Sequence, residues 1–124
     1  MDRSPDTEVS ELERAAQGEG TSLTASQLDA VRSRLSVCWR GTADMPNPET
    51  LWATVRFELN RDGTLRGLPR VVRHSGGRYG EVVGQTGSRA VVACEPFSYL
   101  PADRYDGEGG WRVMTINFGA TGVQ

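Results

Sequence analysis

The sequence predicts an α+β fold: a small three-stranded antiparallel sheet with helices packed on one face, in the order helix, strand, strand, helix, strand. Three observations carry that prediction. Residues 51–59 alternate apolar and polar with period two, and residues 111–118 return to the same alternation. Residues 25–39 and 79–94 instead repeat apolar side chains at spacings of three and four. Asn60-Arg61-Asp62-Gly63 follows the first alternating run and supplies turn chemistry, since Asn and Asp bond their own backbone and Gly accepts positive φ.

Taken in order, Thr24-Ala25-Ser26-Gln27 is a helix start, with Thr24 able to cap and Gln27 placed to complete a capping box. The first helix is expected to reach about Trp39, with Leu28, Val31, Leu35, Cys38 and Trp39 on one face. A loop containing Gly41, Pro46 and Pro48 leads into the first strand, whose Leu51, Ala53, Val55, Phe57 and Leu59 point inward. The second strand is expected over residues 64–74. Pro69 falls inside it, and because proline cannot donate to a ladder, this strand lies at a sheet edge or carries a bulge.

Ser75-Gly76-Gly77 ends that strand, and a second helix over residues 79–94 aligns Val83, Gly87, Ala90 and Cys94. Gly84 and Gly87 each weaken it by up to roughly 1 kcal/mol relative to alanine, which close approach to a neighbour would offset. A Gly-rich turn over residues 106–110 precedes the last strand, where Met114, Ile116 and Phe118 share a side. A right-handed crossover that skips one position puts the first strand in the middle and leaves both outer strands with unpaired backbone. The domain is read as residues 23–119. Residues 1–22, rich in Glu, Ser, Thr and Gly with a helix-compatible stretch at 8–17, read as a flexible acidic tether or the end of a stalk, and residues 120–124 as a disordered tail.

The 124 residues, 37% of them hydrophobic, suit one small domain. The net charge of −2 divides into −4 over residues 1–22 and +2 over the remainder, too little positive charge for a nucleic-acid-binding face. All 14 basic residues are arginine, read first as genome composition and second as a bias toward carboxylate recognition. No segment approaches the ~18 consecutive apolar residues of a membrane span, and the polar, acidic start is unlike a signal peptide.

Cys38 and Cys94 each stand where a helical pattern stops. Their wide separation suits a structural disulfide better than a metal site, which needs more ligands at close spacing, and a disulfide implies an oxidising compartment. The other reading is two buried, reduced cysteines packing as small apolar residues. An oxidising compartment without a signal peptide is reconciled if the chain is a soluble piece of a longer exported or membrane-anchored protein, preceded by a non-native Met1.

Catalytic chemistry finds little purchase. His74 is the single histidine, placed at a strand end without a cysteine or serine at a recognisable motif spacing, and reads as a solvated side chain. Ser75-Gly76-Gly77 and Gly107-Glu108-Gly109-Gly110 lack the patterns of phosphate-binding loops and read as turns. Asp103 and Asp106 read as loop acids. No cofactor or metal is expected. Among the tryptophans, Trp39 falls on the apolar helix face, Trp52 is out of phase with the inward residues of its strand, and Trp111 begins the last strand beside the Gly-rich turn. Trp52 therefore either covers the opposite sheet face or touches a partner, and Trp111 is expected to be half-exposed, both being possible interface aromatics.

Leu23-Thr24-Ala25-Ser26 with Cys38-Trp39, the run from Val55-Arg56-Phe57 to Asp62-Gly63, and Arg89-Ala90-Val91 with Cys94-Glu95-Pro96-Phe97 and Leu100-Pro101 form one ordered set. Tyr105, Trp111 and Ile116-Asn117-Phe118 complete it. In combination the set resembles the C-terminal domain of the TolA family, which belongs with the TonB C-terminal domains, and the likeness covers residues 23–119. The resemblance implies a non-enzymatic, periplasmic protein-binding domain tethered to the inner membrane through an anchor driven by TolQ and TolR. It implies TolB and Pal as partners, in support of outer-membrane integrity and constriction at division, with colicin and phage proteins as further captors in related bacteria.

The expected binding mode is strand addition, in which an extended partner segment pairs with an exposed sheet edge. The last strand, with Arg112, Val113, Met114, Thr115, Ile116, Asn117 and Phe118, is the expected edge because it lacks proline, and Arg112, Thr115 and Asn117 are candidate polar contacts. Three alternatives stay open: a TonB-type transducer domain that binds outer-membrane receptor peptides, a free-standing disulfide-stapled scaffold or inhibitor, and a small secreted enzyme.

Overall fold

The computed structural model describes residues 23–124, so the tether expected over residues 1–22 lies outside the described residues. Helix α1 spans Ala25–Cys38 and starts on a complete capping box. The Gln27 amide donates to Thr24 Oγ1 at 3.2 Å, and the Thr24 amide donates to Gln27 Oε1 at 2.8 Å, satisfying two donors that a helix start leaves orphaned. Val31 and Leu35 form its buried stripe, and Trp39 follows as a buried C-cap.

Strand β1, Trp52–Glu58, buries Ala53, Val55 and Phe57 on one side as the alternation requires, with Leu51 and Leu59 buried beyond its ends. The Asn60 amide then donates to the Thr64 carbonyl at 2.8 Å, and Gly63 sits at φ 88°, closing the expected turn. Strand β2, Arg70–His74, is shorter than expected. Residues 64–69 contribute only an isolated bridge between Leu59 and Leu65, because Gly67 at φ 80° and then Pro69 interrupt regular pairing before β2 begins. Pro69 therefore lies outside the strand. The bulge falls further on, where the register shifts between Thr54 and Val55.

Helix α2, Gly77–Cys94, begins two residues before the expected start and lies across the sheet's inner face. Strand β3, Val113–Gly119, pairs antiparallel with β1, and strand β4, Gly122–Val123, pairs antiparallel with β3. The order β2-β1-β3-β4 makes the sheet four-stranded rather than three-stranded, with β1 inside as expected. The disordered tail expected over residues 120–124 is replaced by a turn, with Gly122 at φ 107°, and by β4. Burial of Val123 opposite Phe118 and paired hydrogen bonds between Asn117 and Gln124 hold it in place.

Gly84 and Gly87 set how close α2 comes to the sheet. A Cβ on Gly84 would stand 2.8 Å from a Val71 methyl, and one on Gly87 would stand 2.9 Å from the Phe118 ring. Phe118 in turn meets the edge of Trp39 at 5.2 Å between ring centres, while the Trp39 indole donates to Thr86 Oγ1 at 3.0 Å. Across this layer Cys38 and Cys94 form the disulfide, with Cα atoms 6.1 Å apart, pinning the end of α1 to the end of α2. A link closing a loop of 56 residues is worth about 4 kcal/mol in the chain-entropy account.

Residues 95–112 cap one end of the core. The Glu95-Pro96 peptide is cis, and Phe97 follows it to stack on Phe57 at 5.7 Å. The Tyr105 hydroxyl donates to the Leu59 carbonyl at 2.6 Å, and the Trp111 indole donates to the Pro101 carbonyl at 2.6 Å. Trp111 is 1% exposed, not the half-exposed residue expected. The turn at 106–110 folds it back edge-on against Tyr105, 4.7 Å away, where its ring is buried and its polar atom still finds a partner.

Candidate partner-binding edge

Hydrogen-bond direction along β3 alternates, so its residues divide into those facing β1 and those facing away. Asn117 settles the phase: its amide donates to the Gln124 carbonyl at 3.3 Å, and its carbonyl accepts from the Gln124 amide at 2.7 Å. Thr115 and Val113, two and four residues earlier, therefore turn their N–H and C=O groups to the same outer side. No hydrogen bond among the described residues occupies them there.

The expected edge of Arg112 to Phe118 is accordingly narrower than the sequence suggested. β4 covers Asn117, Phe118 and Gly119. Arg112 precedes the strand with both backbone groups engaged, its amide donating to the Tyr105 carbonyl at 3.1 Å and its carbonyl accepting from the Leu59 amide at 2.8 Å. Its guanidinium lies 3.8 Å from Asp106, which also pairs with Arg61. The open part is Val113 to Ile116, where Met114 and Ile116 are buried in the core and Thr115 is exposed.

On the sheet face away from the helices, Asn117 stands opposite Thr54 in register and accepts its hydroxyl at 2.6 Å. Thr54 is buried there, between the exposed Trp52 and Arg56 of its own strand. Trp52 lies on this outer face, 40% exposed, with the Arg73 guanidinium 5.9 Å from its ring centre. Of the two expected interface aromatics, Trp52 is thus on the surface and Trp111 is not. His74 is exposed, its Nδ1 2.6 Å from the Ser75 carbonyl.

The sequence expectation favours β3 over the β2 side because it places Pro69 inside the second strand, whereas Pro69 precedes β2. What it missed is an arginine pair: Arg56 and Arg70 stand directly opposite one another in register. The outward phase of Arg56 within the alternating run was a visible signal, whereas its partner depends on the hairpin's register.

Among the described residues, no group of three or more His, Cys, Asp or Glu side chains is placed to hold a metal ion, and no helix is long and apolar enough to cross a membrane. Compared with known proteins, the chain matches no family model, no curated protein and no solved structure.

Proposed function

We propose that this is a non-enzymatic protein-binding domain that takes an extended partner segment onto the open part of β3, in a TolA-like coupling role within the bacterial cell envelope. One observation carries the reading. The outer edge of β3 already accepts a strand from this chain at Asn117 to Gly119, and it continues with unpaired, outward-facing groups at Thr115 and Val113. A partner segment placed there would extend the β4 ladder, its affinity coming from main-chain hydrogen bonds and its register from the side chains beside them.

The disulfide between Cys38 and Cys94 supports an oxidising compartment such as the periplasm. The resemblance of residues 23–119 to the TolA C-terminal domain supports TolB and Pal as the partners, with TolQ and TolR engaged through a separate anchor.

The test is capture of partners from solubilised envelope by the oxidised chain, alongside its Thr115→Pro variant. Proline at 115 removes a donor that faces outward and leaves the β1–β3 ladder its hydrogen bonds. TolB or Pal should be recovered by the parent chain and lost with the variant, whose circular dichroism should match the parent. Recovery of an outer-membrane receptor would favour the TonB-type reading. Equal recovery of TolB or Pal by a folded Thr115→Pro chain would move the site off this edge, and an empty capture would favour a free-standing scaffold.

A further inference from the structure

Strand β2 ends the sheet on the side away from β4, and nothing among the described residues pairs with its outer edge. Two hollows flank it, one on each face of the sheet. The hollow on the outer face, about 460 Å³, is lined by Arg56, Glu58, Arg66 and Arg70. The hollow on the helix side, about 300 Å³, is walled mainly by the aliphatic Leu68, Pro69, Val71 and Val92, with Gln85, Ser88 and Arg89 of α2 completing it. Leu68 lies on the rim of both and is 86% exposed.

The two hollows differ in chemistry. Arg56 and Arg70 face one another across strands, a like-charge pair that costs stability unless an anion lies between them. Arg66 adds a third cation to the same hollow, and none of the three has a carboxylate at ion-pair distance among the described residues. Glu58 is the one acid lining it. On the other side, Leu68 and the 45%-exposed Val92 present aliphatic surface to water beside Val71.

We infer that the β2 edge is a second binding site, for an extended peptide segment in which acidic side chains alternate with aliphatic ones. Successive side chains of a strand point to opposite faces, so a segment paired with β2 would send one set toward the arginines and the other into the aliphatic hollow. The acidic set supplies the charge missing between Arg56 and Arg70. The aliphatic set covers Leu68 and Val92, which a free phosphate or a simple polyanion would leave exposed. This inference is independent of the role proposed for β3.

The test titrates the full oxidised chain with a short labelled peptide of alternating Glu and Val. A peptide of equal composition with its Glu and Val residues segregated, and an alternating Lys and Val peptide, serve as controls. The alternating acidic peptide should bind more tightly than both controls, and its amide shift changes should fall on residues 66–74 and 85–92. Arg66→Glu with Arg70→Glu should weaken it about tenfold or more, and Leu68→Asp should weaken it several-fold. All three positions are exposed, so these variants should keep the fold, with circular dichroism as the check. Thr115→Pro should leave this affinity unchanged. Equal binding of the segregated peptide, or an affinity indifferent to Leu68→Asp, would reduce the site to a diffuse positive field and overturn the inference. So would the absence of binding, or binding lost with Thr115→Pro and kept with the arginine reversals.

Discussion

The Phe97 amide donates to the Gly63 carbonyl at 2.7 Å, so the turn of the β1–β2 hairpin is latched to the segment that follows α2. Gly63 sits at φ 88°, and a Cβ built on it would lie 2.5 Å from the Phe97 carbonyl carbon. Left-handed backbone and a clash with backbone atoms both act against any side chain there. Gly63→Ala should cost about 3 kcal/mol, read as a lower urea midpoint. A shift under about 1 kcal/mol would mean that the turn moves off Phe97 without penalty.

Gly87 poses a subtler contest, because alanine is the better helix former by about 1 kcal/mol. Opposing that gain, the Phe118 ring lies 2.9 Å from the would-be Cβ and is itself fully buried against Trp39. Overpacking in a dense core costs about 1–3 kcal/mol, so Gly87→Ala should be destabilising on balance. A more stable variant would show that the ring can tilt away.

Removing the disulfide by replacing Cys38 and Cys94 with alanine should lower unfolding free energy by about 4 kcal/mol, a substantial share of the roughly 5–15 kcal/mol that holds a domain folded. Denaturation of the parent chain with and without reductant should show the same loss. Equal stability in the two redox states would mean that packing of α1 on α2 suffices without the link.

Burial raises the Tyr99 phenol above its ordinary pKa of 10.0, an effect partly offset by Arg34, whose guanidinium lies 5.6 Å from the ring centre. A raised native pKa means that the unfolded chain loses this proton first as pH climbs. The contribution is complete below about pH 10 and is lost as pH rises through the native value. The stability of Tyr99→Phe should therefore fall less steeply than that of the parent above about pH 10, as seen in urea midpoints across that range. Parallel slopes would remove Tyr99 from the alkaline transition.

Much of the fold was legible because its signals are local. The Thr24 and Gln27 capping box, the inward phase of Ala53, Val55 and Phe57, and the Asn60 to Gly63 turn each follow from residues a few positions apart. The candidate edges were legible only in part. The run from Arg112 to Phe118 was found as a strand, yet its closure at Asn117 by Gln124 required a reversal through Gly122 that the Gly-rich end did not distinguish from an unstructured tail. Trp111 was misread because its partner atoms, the Pro101 carbonyl and the Tyr105 ring, reach it only when the intervening loop folds back.

Local signals in the chain were enough for the α+β class, the order of both helices and the first three strands, and the inward side of β1 and β3, since side-chain period and turn chemistry are properties of neighbouring residues. Tertiary structure alone decided which backbone groups remain open on β3, that Pro69 lies outside β2, and that Arg56 meets Arg70 across the ladder. Those depend on strand register, and one bulge in a hairpin or two paired residues at an edge reassign it without changing any local pattern.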